Sequence, residues 1–178
     1  MTNVNLIGII GSLRAGSANG ALARAATGIL PEQVALSLHD VSRLPLYNGD
    51  EETAGPPADV IALHAAVRDA DGIVLFSPEY NSSLPAVTKN VIDWLSRDSQ
   101  VWDGTGITMI TMSPGGRAGS SAREHFSAIM QRQATRLFET IGFGTYGHRL
   151  DADGNVTDPA TLAELADFLA RYADHCRG

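Results

Sequence analysis

The loop GSLRAGSAN, Gly11 to Asn19, brings together glycine, hydroxyl, amide and guanidinium groups, a set suited to holding an anion. It joins a short apolar run to the start of an amphipathic segment. There the unpaired N–H groups of a helix and its dipole favour negative charge. Ser12, Ser17 and Asn19 supply neutral hydrogen-bonding groups, and Arg14 supplies one cation able to grip a phosphate bidentately. The spacing rejects two nucleotide motifs. A triphosphate loop needs lysine after the second glycine of G-x-x-x-x-G, but Gly16 is followed by Ser17, and Gly8, Gly11 and Gly16 do not make G-x-G-x-x-G. The loop suits a single terminal phosphate better than a triphosphate with magnesium. The plainer alternative is that Ser17 or Asn19 only caps a helix and Arg14 is solvated.

Two further loops have unusual composition. SPEYNSSLP, Ser77 to Pro85, is stiffened by Pro78 and Pro85 and carries Tyr80 beside Asn81, Ser82 and Ser83. Backbone amides next to an aromatic suit the edge of a planar heterocycle, although the same residues would make an ordinary turn before a helix. SPGGRAGSS, Ser113 to Ser121, allows close backbone approach at Gly115, Gly116 and Gly119, or is simply a flexible connection. Histidines 39, 64, 125, 148 and 175 have no H-x-x-x-H or Cys/His spacing, so no metal site is expected, and His64 and His125 read as surface or boundary residues. Asp151, Asp153 and Asn155 imitate a calcium loop, but Val156 and Leu162 stand where its glycine and glutamate should be.

Apolar periodicity places these loops. Val4–Ile10 is a nearly continuous apolar run, as in a strand buried on both faces. Leu22, Ala25, Ala26, Ile29 and Leu30 form one face of a helix ended by Pro31. Gln33–His39 alternates as a second strand, and Asp40–Pro57 is a long polar connection to a helix over Ala58–Ala70. Gly72–Ser77 is a third strand, followed by a helix with Pro85 at its first position that runs to about Ser96. Trp94 on that helix is read as core or interface packing. Ile107–Met112 is a fourth strand. A long helix is expected to bury Phe126, Ile129, Met130, Ala134, Leu137, Phe138 and Ile141, with a weaker fifth strand over Phe143–Arg149. Leu162, Leu165, Ala166 and Leu169 stripe a last helix over Pro159–His175. Five strands alternating with five helices predict an α/β fold, a parallel sheet covered on both faces. In such sheets ligands lie outside the carboxyl ends of the strands, which is where the three loops fall.

The totals bound the reading further. A length of 178 residues fits one domain, 1–178, without linker or repeat. The net charge of −7 repels phosphodiesters and anionic lipid, so nucleic acid and membrane are not expected as partners. Any anionic cofactor must then be held by a strong local device. The one cysteine, Cys176, reads as a free surface or end-of-helix thiol. No apolar run approaches the roughly 20 residues of a membrane span. The N-terminus enters a strand with no signal-peptide pattern, and a cytoplasmic location is expected.

On GSLRAGSAN, on SPEYNSSLPAVTKNVIDW (Ser77 to Trp94) and on the glycine loop after the fourth strand, the chain resembles the NADPH-dependent FMN reductases. These belong to the flavodoxin-like superfamily, with quinone, azo-dye and chromate reductases among them. LPLYNGD (Leu44 to Asp50) and the Asp151–Pro159 segment also fit, and the order of elements matches through nearly the whole chain. The resemblance implies a flavodoxin-like three-layer sandwich with strand order 2-1-3-4-5. It implies that Ser12, Arg14, Ser17, Ala18 and Asn19 hold the FMN phosphate. Pro78, Glu79, Tyr80 and Asn81 would line the isoalloxazine, largely through backbone groups, with Ser113, Gly115 and Gly116 closing its other side. It further implies NADPH or NADH as reductant, a quinone-like or other small-molecule electron acceptor, and a homodimer or homotetramer. Two stretches depart from the family pattern: Val101–Gly106 lacks a lysine common there, and Gln131–Tyr146 is rich in Arg and Phe. Two rival readings of the same fold are a flavodoxin-type electron carrier without nicotinamide oxidase activity and a flavin-free regulatory domain.

Overall fold

The computed structural model describes residues 3–178. Strands β1 (Val4–Ile10), β2 (Val34–His39), β3 (Gly72–Phe76) and β4 (Gly106–Met112) pair in parallel in the order β2-β1-β3-β4. The fifth position is filled by two short pieces, β5 (Arg136–Leu137) and β6 (Ile141–Phe143), both parallel to β4. The sheet therefore has the expected 2-1-3-4-5 order, with its last strand broken in two.

Strand periodicity divides the core. Val4, Leu6, Val74, Phe76, Ile110 and Met112 face helices α1 (Ala18–Thr27) and α6 (Pro159–Arg177). Ile7, Ile9, Ile73, Leu75, Ile107 and Met109 face α3 (Ala58–Arg68), α4 (Ala86–Leu95) and α5 (Ser120–Met130). With both faces covered, nearly every strand position is apolar. The sixth helix, α2 (Gly49–Ala54), is a short turn inside the 40–57 connection, started by Asn48, whose side chain accepts from Asp50 N–H. Pro85 caps α4 from one residue earlier than expected.

Two expectations fail together. The helix after β4 ends at Met130, so Ala134, Leu137, Phe138 and Ile141 do not lie on it, and the fifth strand begins at Arg136 instead of Phe143. Residues 144–149 instead pass through left-handed Thr145 into a 3₁₀ turn, Tyr146–His148. The outer edge of β4 needs hydrogen-bond partners, and that long-range demand overrides a helical apolar spacing. Between the two pieces Phe138 packs against Phe168, Tyr172 and His175 of α6, and the Thr108 hydroxyl donates to the Glu139 carbonyl.

Cys176 is an end-of-helix thiol but not a surface one. It is 6% exposed and, with the Tyr172 ring, covers the glycines that open β3 and β4. A Cβ on Gly72 or Gly106 would come within 2.6 or 2.7 Å of its sulfur. Tyr172 donates its hydroxyl to the Ile73 carbonyl. Burial pushes the Cys176 thiol pKa up to about 11, so the neutral thiol is the folded form. In the unfolded chain the proton leaves nearer the ordinary value. Stability should therefore fall as pH rises above that value towards 11. Native protein is expected to resist a chromogenic disulfide reagent at mildly alkaline pH, whereas denaturant-unfolded protein reacts at once. Equal rates for the two would refute the buried, neutral state.

Candidate active site

The loops after β1, β3 and β4 lie side by side because their strands do, and hydrogen bonds tie each to the next. Gly11 N–H donates to the Phe76 carbonyl (2.8 Å), Ser77 N–H to the Ile110 carbonyl (3.0 Å), and Ser113 N–H to the Phe143 carbonyl (3.0 Å). The four non-glycine residues with positive φ among the described residues, Asn81, Ser82, Ala118 and Thr145, all lie in loops that follow β3, β4 and β6. Each such conformation costs about 1–2 kcal/mol, so the strain is concentrated at one end of the sheet.

In the first loop Ser17 caps α1, its hydroxyl oxygen accepting from Gly20 N–H at 3.3 Å. The N–H groups of Ala18 and Asn19 have no acceptor among the described residues. Ser12 and Arg14 border a groove of about 300 Å³ between this loop and the end of β2. Arg24 borders it too, a residue that the sequence reading passed over. Its guanidinium folds back to within 3.3 Å of where a Gly20 Cβ would stand, and its position one turn after Gly20 was the available signal. Neither arginine has a carboxylate at ion-pair distance among the described residues. Asp40, on the same groove, is turned to Ser42. The Ser42 backbone N–H, then its hydroxyl, hold the Asp40 carboxyl below its ordinary pKa. The groove is thus locally cationic on a chain of net charge −7.

Asn19 departs from its expected role. It is 3% exposed, and both ends of its amide go to Met112: Nδ2 donates to the carbonyl at 2.9 Å and Oδ1 accepts from the N–H at 2.8 Å. Only its backbone N–H is left to face a phosphate. Glu79 likewise turns inward, its carboxylate accepting from Ala122 N–H in the first turn of α5. The Pro78 carbonyl accepts from the Ser77 hydroxyl at 3.2 Å. Tyr80 and Ser83 exchange both backbone hydrogen bonds across Asn81 and Ser82, whose φ of 50° and 58° make a two-residue turn of type I′. Tyr80 is left 52% exposed on its rim. Ser83 also meets His125 Nδ1 of α5 at 2.7 Å, a contact between loop and helix that no local pattern announces.

The third loop is pinned, not flexible. The Gly115 carbonyl accepts from Ala118 N–H, Thr145 N–H and the Ser113 hydroxyl. At Gly115 and Gly116 a Cβ would meet no heavy atom within 4 Å, and neither φ is positive. Nothing in the protein therefore demands glycine there, and the open space suits a flat group lying against the backbone. A cationic groove beside free helix N–H groups, with this open glycine edge at the same end of the sheet, fits FMN.

The family model described as NADPH-dependent FMN reductase matches residues 4–143, a span that contains all three loops. The chain belongs to that family. A quinone reductase of Escherichia coli (strain K12) is 34% identical over 177 residues, covering 96% of this chain and 94% of that protein. A 2-hydroxy-1,4-benzoquinone reductase from a Burkholderia species is 32% identical over 169 residues, covering 93% and 92%. Among solved structures, FerB, a flavoenzyme NAD(P)H:(acceptor) oxidoreductase from Paracoccus denitrificans, superposes with a TM-score of 0.85 at 26% identity, covering 98% and 97%. An FMN-dependent NADH-azoreductase of Bacillus anthracis solved with FMN shares the fold, with a TM-score of 0.63 at 12% identity. This family member is an oxidoreductase with FMN as cofactor and a reduced nicotinamide as electron donor. No helix of the described residues is long and apolar enough to cross a membrane, and no group of three or more potential metal-ligating side chains occurs among them.

Proposed function

We propose that this chain is a single-domain cytoplasmic NAD(P)H:quinone oxidoreductase whose FMN lies across the loops after β1, β3 and β4. The observation that carries the reading is the pair of acceptor-free N–H groups of Ala18 and Asn19 at the start of α1, beside a groove bordered by Arg14 and Arg24. Near-full-length likeness to quinone reductases supports quinone as acceptor.

Bound FMN supplies two-electron chemistry between nicotinamide and quinone; the protein supplies binding, orientation and electrostatics. Arg14 with the N–H groups of Ser12, Ala18 and Asn19 holds the phosphate. The Ser17 hydroxyl, whose oxygen already accepts from Gly20 N–H, still has its proton to donate. The backbone of Pro78–Asn81 would line one side of the ring, and Gly115–Gly116 the other. These fixed dipoles favour negative charge on a reduced ring without reorganising. No side chain is needed as a general acid or base, and the exposed rim by Tyr80 leaves room for donor and acceptor to use the site in turn.

Assembly as a homodimer or homotetramer is part of the proposal. Leu46 is 74% exposed beside a groove lined by Tyr47, Ala86, Lys89, Asn90 and Asp93, an apolar-rimmed face suited to a second copy. Light scattering of the purified protein checks it.

Arg14→Ala is expected to weaken FMN binding roughly 10- to 100-fold, the worth of one charge-assisted bond to phosphate. Riboflavin, which lacks the phosphate, should bind the variant as it binds the wild type. Fluorescence titration reads both. Unchanged FMN affinity would remove Arg14 from the site, and failure of the FMN-loaded wild type to oxidise NADPH or NADH with benzoquinone would overturn the function.

A further inference from the structure

The corner that ends the glycine loop is held by a side chain outside the expected site. Ala118 and Gly119 are consecutively left-handed, with φ of 53° and 73°, and Ala118 has no glycine's licence for that conformation. Its carbonyl accepts twice, from the Thr111 hydroxyl at 2.5 Å and from Arg123 Nη1. Arg123 Nη1 also donates to Thr111 Oγ1 at 2.6 Å, closing a three-membered ring of hydrogen bonds between β4, the corner and α5. The fit is tight on two sides. A Cβ on Gly119 would stand 2.9 Å from Thr111 Cβ, and one on Gly142 of β6 would overlap the guanidinium and the Ala118 carbonyl oxygen.

Arg123 is only partly exposed and has no carboxylate at ion-pair distance among the described residues. Burial lowers its pKa from the ordinary arginine value, opposed by the more distant Glu124 and Glu79, and the group stays cationic. A half-buried cation without an ion pair loses part of its hydration, and it persists where its hydrogen bonds fix something the fold needs. Here it fixes the carbonyl three residues from Gly115.

We propose that Arg123 is the positioning residue that sets the β4 loop in its ring-binding form, acting through Ala118 and Thr111 with no contact of its own to the ligand. This rests on the placement of the ring against Gly115 and Gly116. Loss of the ring of hydrogen bonds lets the corner relax and shifts the open Gly115–Gly116 edge. Arg14 acts at the phosphate and Arg123 at the tricycle, so the two leave different signatures in the pair FMN and riboflavin.

The test titrates wild type, Arg123→Met, Arg123→Lys and Thr111→Val with FMN and with riboflavin, following flavin fluorescence and the visible circular dichroism of bound flavin. Arg123→Met is expected to weaken both ligands by the same factor, roughly 10-fold or more, as for loss of a charge-assisted bond. Arg123→Lys should recover most of the loss by donating to Ala118, and near-isosteric Thr111→Val should reproduce it more mildly and serve if Arg123→Met does not fold. Bound flavin in the weakened variants should show altered visible dichroism. Folded Arg123→Met that binds both ligands as the wild type does, or that loses FMN alone, overturns the proposal. So does a lower melting temperature with unchanged affinity and dichroism, the mark of a merely structural part. Failure of the wild type to bind either flavin instead overturns the site itself.

Discussion

Asn19→Ala should lower the free energy of unfolding by about 3 kcal/mol, because each of the two buried groups it abandons costs about 1–3 kcal/mol when unsatisfied. The Ile110 carbonyl still takes an N–H from Ser77, the last contact between β4 and the segment leaving β3. Two residues on, the N–H and carbonyl of Met112 point to the same edge, where the chain of β3 has turned away. The Asn19 amide takes the place of the missing strand, at 2.8 and 2.9 Å. Asn19→Asp keeps the acceptor, loses the donor and sets a carboxylate against the Met112 carbonyl, so it should also destabilise. Urea unfolding of the apoprotein at an unchanged m-value measures the loss. A midpoint within error of the wild type for Asn19→Ala would mean that Met112 finds other partners and that the clamp is dispensable.

Gly11→Ala is expected to cost about 2–3 kcal/mol, at the upper end for one added methyl in a packed site, and to weaken FMN binding with it. Gly11 is the residue at which β1 turns into the phosphate loop, where its N–H donates to the Phe76 carbonyl. A Cβ there would stand 2.7 Å from Ser77 Oγ and 3.0 Å from Ser77 Cβ, and would overlap Thr88 Oγ1. Those two hydroxyls are themselves bonded at 2.6 Å and fully buried, so neither moves without stranding the other. Relief must come from the loop, which would shift Ser12 and Arg14 against the start of α1. Calorimetric unfolding of the apoprotein and FMN titration check the two effects. A variant that melts with the wild type and binds FMN equally well would show that the loop absorbs the methyl elsewhere.

Neither residue advertised these roles locally. Asn19 stands at the start of an amphipathic helix, where an amide reads as a cap or an anion ligand; Ser17 is the cap, and the partner of Asn19 is 93 residues away. Glu79 read as part of a ring-lining turn, and its carboxylate instead starts α5 in place of any capping side chain at Gly119. Nothing local singles out Arg123, because Thr111, Ala118 and Gly142, which define its pocket, come from three other elements. The run from Phe126 to Ile141 kept a helical spacing past the point where the helix stops, since residues that serve a helix face also serve an edge strand packed under α6.

The sequence by itself determined the alternation of strands and helices, the two-faced burial of the sheet and the three loops at its carboxyl end. These follow from apolar period and from glycine and proline, whose effects are local and act on a chain whatever it later touches. Only the tertiary structure decided which polar side chains are left for a ligand and which are spent inside, how the last strand is broken, and that Cys176 is sealed between α6 and the sheet. Those outcomes depend on hydrogen-bond and steric demands between distant segments, and a buried donor or acceptor takes whatever partner the fold brings within reach.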